Sequence, residues 1–324
     1  MAQPASTGSA SGAFEAVLRE DLASADRALA NAAPIMRHLL RAEDGGIFND
    51  QVLARVRGLF ADLAGQLVIA LSEAAGHADV QAWAQRANTE LADVLTDSAP
   101  LLSHFHALAI EWQLAERLHQ RGILDPVLSP LLSARLGAAD PAQAATANAL
   151  LAAQARFVQS VRRMQLPLSE LPGDLCHIAL MTMRAYVGDE AGADGYALIA
   201  ERTLRSRLDE RAGRLALQAR LLDGLGGSVA TALGIGDAGV GLFATALARG
   251  SGLTREAATM ALTDAQRPRL GLALRACGLP PSAIAEQFAV LHPDGALPAG
   301  LDELSPARAA ALLAAHAGTV AAPY

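Results

Sequence analysis

The chain contains no lysine. Every cationic side chain other than histidine is therefore arginine, which excludes lysine Schiff bases and the phosphate-binding lysine of a P-loop. Cysteine is nearly absent. Cys176 and Cys277 stand a hundred positions apart, so neither a close metal-ligand motif nor a disulfide framework can be read, and a reducing, cytoplasmic compartment fits. Aromatic residues make up 4%, and the Val, Ile, Tyr and Thr runs that mark strands are missing. No continuous apolar run is long enough to span a bilayer. The first residues, MAQPASTGSASGA, lack the basic region and apolar core of a signal peptide and read as a disordered tail over 1–13.

What the chain does hold is alanine and leucine, which dominate its 52% hydrophobic content. Both lose little side-chain freedom in a helix. The expected fold is therefore all-α, and 324 residues suffice for two domains. The formal charge of −7 argues against non-specific nucleic-acid binding, which needs a basic surface.

The chain divides into helices by periodicity and caps. One is expected over 14–32, and a short one starting at Pro34. A turn at Asp44-Gly45-Gly46 precedes Asn49, a good cap for a helix reaching residue 75. Its Val52, Val56, Leu59, Phe60, Leu63, Leu67 and Leu71 fall on one face at helical spacing. Helices over 79–95 and 98–121 follow. Asp140-Pro141 opens a long helix that leads into residues 154–187, where Pro167, Pro172 and Gly173 interrupt the pattern and Asp174 is the expected new cap. Residues 224–241 hold seven glycines and read as a loose loop with a short helix.

One pattern recurs in the second half. Arg249-Gly250-Ser251-Gly252-Leu253 and Arg275-Ala276-Cys277-Gly278-Leu279 each end a helix on a glycine suited to the left-handed conformation. The expected architecture is an N-terminal helical bundle (14–140) followed by a C-terminal array of helix–turn–helix, HEAT-like pairs (141–324). The boundary lies near 140, with the turn at 188–195 as the alternative.

LFATALARGSGLTREAATMAL and the following LGLALRACGLPPSAIAEQFAVL, over 242–291, resemble a domain-of-unknown-function family of alanine- and leucine-rich helical proteins from alphaproteobacteria. The N-terminal DLASADRALANAAPIMRHLL and FNDQVLARVRGLFADLAGQL have the same character. The resemblance implies a bacterial, helical protein. It rests on helix faces and caps, so it implies no activity and no functional residue.

Each chemical motif has a plainer reading. Gly234, Gly236 and Gly239 match GxGxxG, but a dinucleotide site needs a strand before and a βαβ unit around it. Glu116 and His119 match one ExxH of a di-iron bundle, whose second copy is missing. His104 and His106 diverge on a helix, and Glu111 is one His104-facing residue where a metal needs more ligands. No catalytic, cofactor-binding or metal-binding residue is assigned, no cofactor is expected, and an enzyme is the less favoured class.

Non-enzymatic classes remain. The first is a helical protein-interaction, scaffold or regulatory protein, presenting Arg156, Arg162, Arg163, Arg202, Arg205 and Arg207 to another protein, with a homo-oligomer as a further option. The arginine-rich run is expected to pair Glu201 with Arg205 and Glu210 with Arg214 at i, i+4. The second is a histidine phosphotransfer-type signalling module using His177 or His38; His177 is expected to be packed rather than reactive. The third is a small-molecule sensor with an inter-helix pocket lined by Met164, Met181 and Met183.

Overall fold

A computed structural model describes residues 7–41, 50–76, 80–188, 192–298 and 300–317, and the regular structure among them is entirely helical. The helices are α1 (Thr7–Arg41), α2 (Asp50–Ala75), α3 (Val80–Thr96), α4 (Ala99–Gln120), α5 (Pro130–Leu136), α6 (Pro141–Arg162), α7 (Gly173–Tyr186), α8 (Ala193–Ser206), α9 (Arg214–Asp223), α10 (Ile235–Ser251), α11 (Arg255–Ala261), α12 (Arg267–Ala276), α13 (Pro281–Leu291) and α14 (Pro306–Ala317). None is long and apolar enough to cross a membrane.

The apolar face read on α2 is the face it buries, from Val52 to Leu71, against α3, α4 and α8. Helix α4 is different. It is buried almost all round, from Leu101 to Leu118, and packs against α2, α3, α10 and α11. Helix α10 touches α4, α5, α9, α11, α12 and α13, so the two glycine-closed helix pairs of the second half gather around it. Gly252 and Gly278 both take the left-handed conformation (φ 77° and 87°). After the second, the amide of Leu279 returns to the carbonyl of Leu274 at 3.2 Å, which satisfies a carbonyl the helix end would leave open.

The buried side chains form one connected cluster running from Leu18 to Leu313, across both expected boundaries. The two ends of the described chain meet. Asp26 on α1 accepts from Arg269 on α12 and pairs with His316 of α14 at 2.9 Å. Arg308 reaches Glu15 at 2.6 Å, and Gln266 donates to the carbonyl of Ala25 at 2.7 Å.

Several local expectations are revised. Helix α1 runs unbroken through Pro34: proline removes one N–H, and Leu18, Leu22 and Met36 bury the helix on both sides of it. Residues 7–13, expected in a disordered tail, belong to α1. Residues 1–6, the cap at Asn49, the turn at 44–46 and the start at Asp79 lie outside the described residues. Asp174 lies in the first turn of α7, one residue inside; Pro172 holds the cap position. Residues 226–233 form a 3₁₀ stretch leading into α10 rather than a loose loop.

The connector after α6 is clamped rather than hinged. The amide of Leu166 donates to Asp62 at 2.8 Å, and Gln66 donates to the carbonyl of Leu166 at 2.8 Å. Met164 closes α6 at φ 57°, and Gly58 of α2 makes room for it, since a Cβ there would lie 2.5 Å from the Cβ of Met164.

Candidate functional site

Two arrangements of charge flank α4 (Ala99–Gln120). The first is a dry network. Arg214, at the start of α9, is fully buried, with its guanidinium carbon 3.7 Å above the ring of Phe157. Its Nε donates to both carboxylate oxygens of Glu170, at 3.0 and 2.9 Å, and its Nη1 donates to Glu111 at 2.5 Å. The second oxygen of Glu111 accepts from Arg255 of α11 at 2.7 Å. Gln218 and Thr245 close the ring: the Thr245 hydroxyl donates to the Gln218 carbonyl oxygen at 3.0 Å, and Arg255 reaches both. His104, one face further along α4, sets Nδ1 2.9 Å from Glu256 and Nε2 2.8 Å from the carbonyl of Glu170.

Burial by itself would raise the pKa of Glu111, but Arg214 and Arg255 outweigh it and hold the carboxyl at about 2. Burial would lower the pKa of Arg214; Glu111 and Glu170 reverse that and raise it above the ordinary arginine value. The hydrogen bond from His104 holds Glu256 below the usual carboxylate range. Charges removed from water this far are tolerated only when each is paired and hydrogen-bonded.

Glycines let the backbone of α10 reach this network. At Gly239 the helix breaks (φ 72°, ψ 164°) and restarts. At Gly241 an added Cβ would stand 2.5 Å from the Gln218 amide nitrogen, 2.8 Å from a Glu111 oxygen and 3.2 Å from Arg214. Gly241 thus serves close approach, and no strand precedes Gly234, Gly236 and Gly239 among the described residues, so the context of a dinucleotide site is missing. A crevice of about 30 Å³ beside Glu111, Gln154 and Gln218 has room for water and little else.

The second arrangement is wet. An open groove of about 980 Å³ runs between α2, α4 and the end of α6, lined by Arg55, Trp112, Glu116, Arg117, Arg162 and Asp264 among others. Trp112 is its floor. The guanidinium carbons of Arg55 and Arg162 each lie 5.4 Å from the Trp112 ring centroid, within cation–π range. Arg162 faces Glu116 at 3.7 Å. Arg55 donates to the carbonyl of Val161 at 3.3 Å, and Arg117 to that of Leu291 at 3.4 Å. Neither Arg55 nor Arg117 makes an ion pair with a carboxylate among the described residues, though the charge of Glu116 acts on Arg55 from further off.

The six arginines read from the sequence are all exposed. They do not all act alike. Arg162 belongs to the groove. Arg205 is held by Glu201 at 2.9 Å and donates to His177 Nδ1 at 3.3 Å. Arg156, Arg163, Arg202 and Arg207 make no ion pair among the described residues. The expected Glu201–Arg205 pair is present. The expected Glu210–Arg214 pair is not, because Glu210 lies in a 3₁₀ turn and Arg214 turns inward.

His177 and His38 are exposed, so the expectation of a packed His177 is overturned: it lies on the outward face of α7. Nδ1 of His177 accepts from Arg205 at 3.3 Å. Met164, Met181 and Met183 do not share a pocket. Met183 is core, whereas Met164 lines the groove. His119 contacts the carbonyl of Leu124 at 3.2 Å while Glu116 turns to Arg162, so the ExxH pair does not converge. Among the described residues no three His, Cys, Asp or Glu side chains could hold a metal ion. Burial raises the pKa of both thiols, Cys277 to about 12, which leaves little thiolate at neutral pH.

Sequence reasoning set Glu111 beside His104 and gave Arg214 the wrong partner, and it missed Glu170, Arg255 and the groove's Arg55, Trp112 and Arg117. One signal was present: Glu111 interrupts the apolar run Ala107–Trp112, and a charge inside such a run asks for a buried partner.

No protein-family model, curated protein or solved structure matches the chain.

Proposed function

We propose that the chain is a non-catalytic helical interaction or scaffold protein that presents arginine-bearing helix faces to an acidic surface of another protein. The observation that supports this reading is a division of labour among the arginines. Arg214 and Arg255 are spent inside on carboxylates, while Arg156 and Arg163 at the end of α6, and Arg202 and Arg207 around the end of α8, face solvent without an ion pair among the described residues. Arginine without an internal partner can bind carboxylates in bidentate fashion, and it is enriched at protein interfaces. The interior network supports the same reading, because a presenting face needs a fixed frame.

Affinity capture from the native cell tests it, with the parent protein beside the R202E/R207E and R156E/R163E variants. The expected result is a protein partner retained by the parent and lost from at least one charge-reversed variant. Equal retention by all three, or a retained small molecule with no protein above background, contradicts the proposal.

A further inference from the structure

Independently of any protein partner, we propose that the groove over Trp112 binds a small oxyanion, a molecule bearing a carboxylate or phosphate group, with Arg55 and Arg117 as its anchors. Both guanidiniums are half-buried, both line the groove, and each donates to a backbone carbonyl only. A carbonyl satisfies one N–H and leaves the positive charge unbalanced. An arginine carries five donors, so both keep donors free for a ligand.

The acidic groups at the groove do not fill that role. Asp50 is exposed in the first turn of α2, where the free N–H groups of the helix stabilise it. Asp264 is 71% exposed and turned to His292 at 2.7 Å. Glu116 faces Arg162. Asp50 and Asp264 are solvated and screened, and Glu116, half-buried like the two arginines, is one carboxylate shared between Arg162 and Arg55, which leaves Arg117 with none. Burial lowers the pKa of Arg55, with Glu116 only partly opposing it, as for a cation short of counter-charge. The groove's 980 Å³ lies at the upper end of the range for small-molecule sites, and Val52, Ile110 and Met164 add apolar wall for the rest of such a ligand.

Trp112 lies under the groove and provides the readout. With Trp83 replaced by Phe, its emission reports the groove alone. Inorganic phosphate and succinate are titrated separately, with sodium chloride at matched ionic strength as control. The expected result is a saturable change in Trp112 emission with at least one of the two and none with chloride. Half-saturation rises tenfold or more in Arg117→Gln and is unchanged in Arg202→Gln, each checked for a parent-like thermal transition. Phosphate alone would identify a phosphoryl ligand, succinate alone a carboxylate. Calorimetry on the unmodified chain reads the same binding without the tryptophan substitution. The proposal is overturned if neither anion saturates, if chloride reproduces the change, or if Arg117→Gln titrates like the parent.

Discussion

On one side of α4, Arg214 and Arg255 meet carboxylates in a dry interior; on the other, Arg55 and Arg117 meet carbonyl oxygens at the edge of water. The residue type is the same and the distance along α4 between Glu111 and Arg117 is under two turns. What differs is the counter-charge. Inside, each guanidinium is matched to a carboxylate with aligned hydrogen bonds, so the group is part of the frame. Outside, the guanidiniums donate to carbonyl oxygens and only Glu116 acts on Arg55 from beyond ion-pair distance, so part of the charge is left to bind something else. Arginine count therefore says little about function in this chain, and arginine pairing says more.

Breaking the inner side should have the largest effect. Arg214→Met leaves Glu111 and Glu170 facing each other's neighbourhood without the guanidinium that joins them, and removing one partner of a buried ion pair costs about 3–5 kcal/mol. Urea denaturation should show the unfolding free energy falling by that amount. Acid attacks the same side more gently. In the folded chain Arg214 and Arg255 outweigh burial and hold the Glu111 carboxyl at about 2, below the 4.5 of a free carboxyl. The unfolded chain therefore takes up the proton first. Its stabilisation is whole above the unfolded pKa and is lost as pH falls from 4.5 toward 2, on the order of 3 kcal/mol in all. Urea midpoints measured across that window should fall, and the fall should shrink in Glu111→Gln.

Gly241→Ala sharpens the contrast by a smaller step. Glycine to alanine inside a helix ordinarily stabilises by up to about 1 kcal/mol. Here the added Cβ meets the side-chain ends of Gln218 and Glu111, which the buried hydrogen bonds to Arg214, Thr245 and Arg255 hold in place, so the sign should reverse, with a loss of about 1–3 kcal/mol in thermal or chemical unfolding.

The sequence made the outer frame legible and the inner one illegible, for a physical reason. Helix faces repeat locally, so the buried stripe of α2 and the glycine ends at Gly252 and Gly278 could be read from spacing alone. The network joins His104 and Glu111 on α4, Glu170 in the connector, Arg214 on α9 and Arg255 on α11, and no local pattern encodes which distant carboxylate an arginine will find. The same local logic misled at Glu210 and Arg214, whose spacing suits a helix pair that the 3₁₀ turn at Glu210–Ala212 does not allow. The glycines of 224–241 looked permissive because glycine loosens a free chain; one of them, Gly241, is packed against Glu111 and is where the backbone comes closest. Arg162, by contrast, was picked as a surface residue, and it lies at the groove.

Helix α4 itself carries the most direct test. Glu111 and Glu116 lie five positions apart on it, one inside the network and one in the groove facing Arg162. Glu111→Gln and Glu116→Gln change the same atoms, so their urea unfolding free energies can be compared directly. Glu111→Gln should lose about 3–5 kcal/mol, while Glu116→Gln stays within about 0.5 kcal/mol of the parent, because its 3.7 Å pair with the exposed Arg162 is long and partly solvated. Equal losses in the two variants, or a larger loss from Glu116→Gln, would contradict the division between a dry structural network and a wet binding groove.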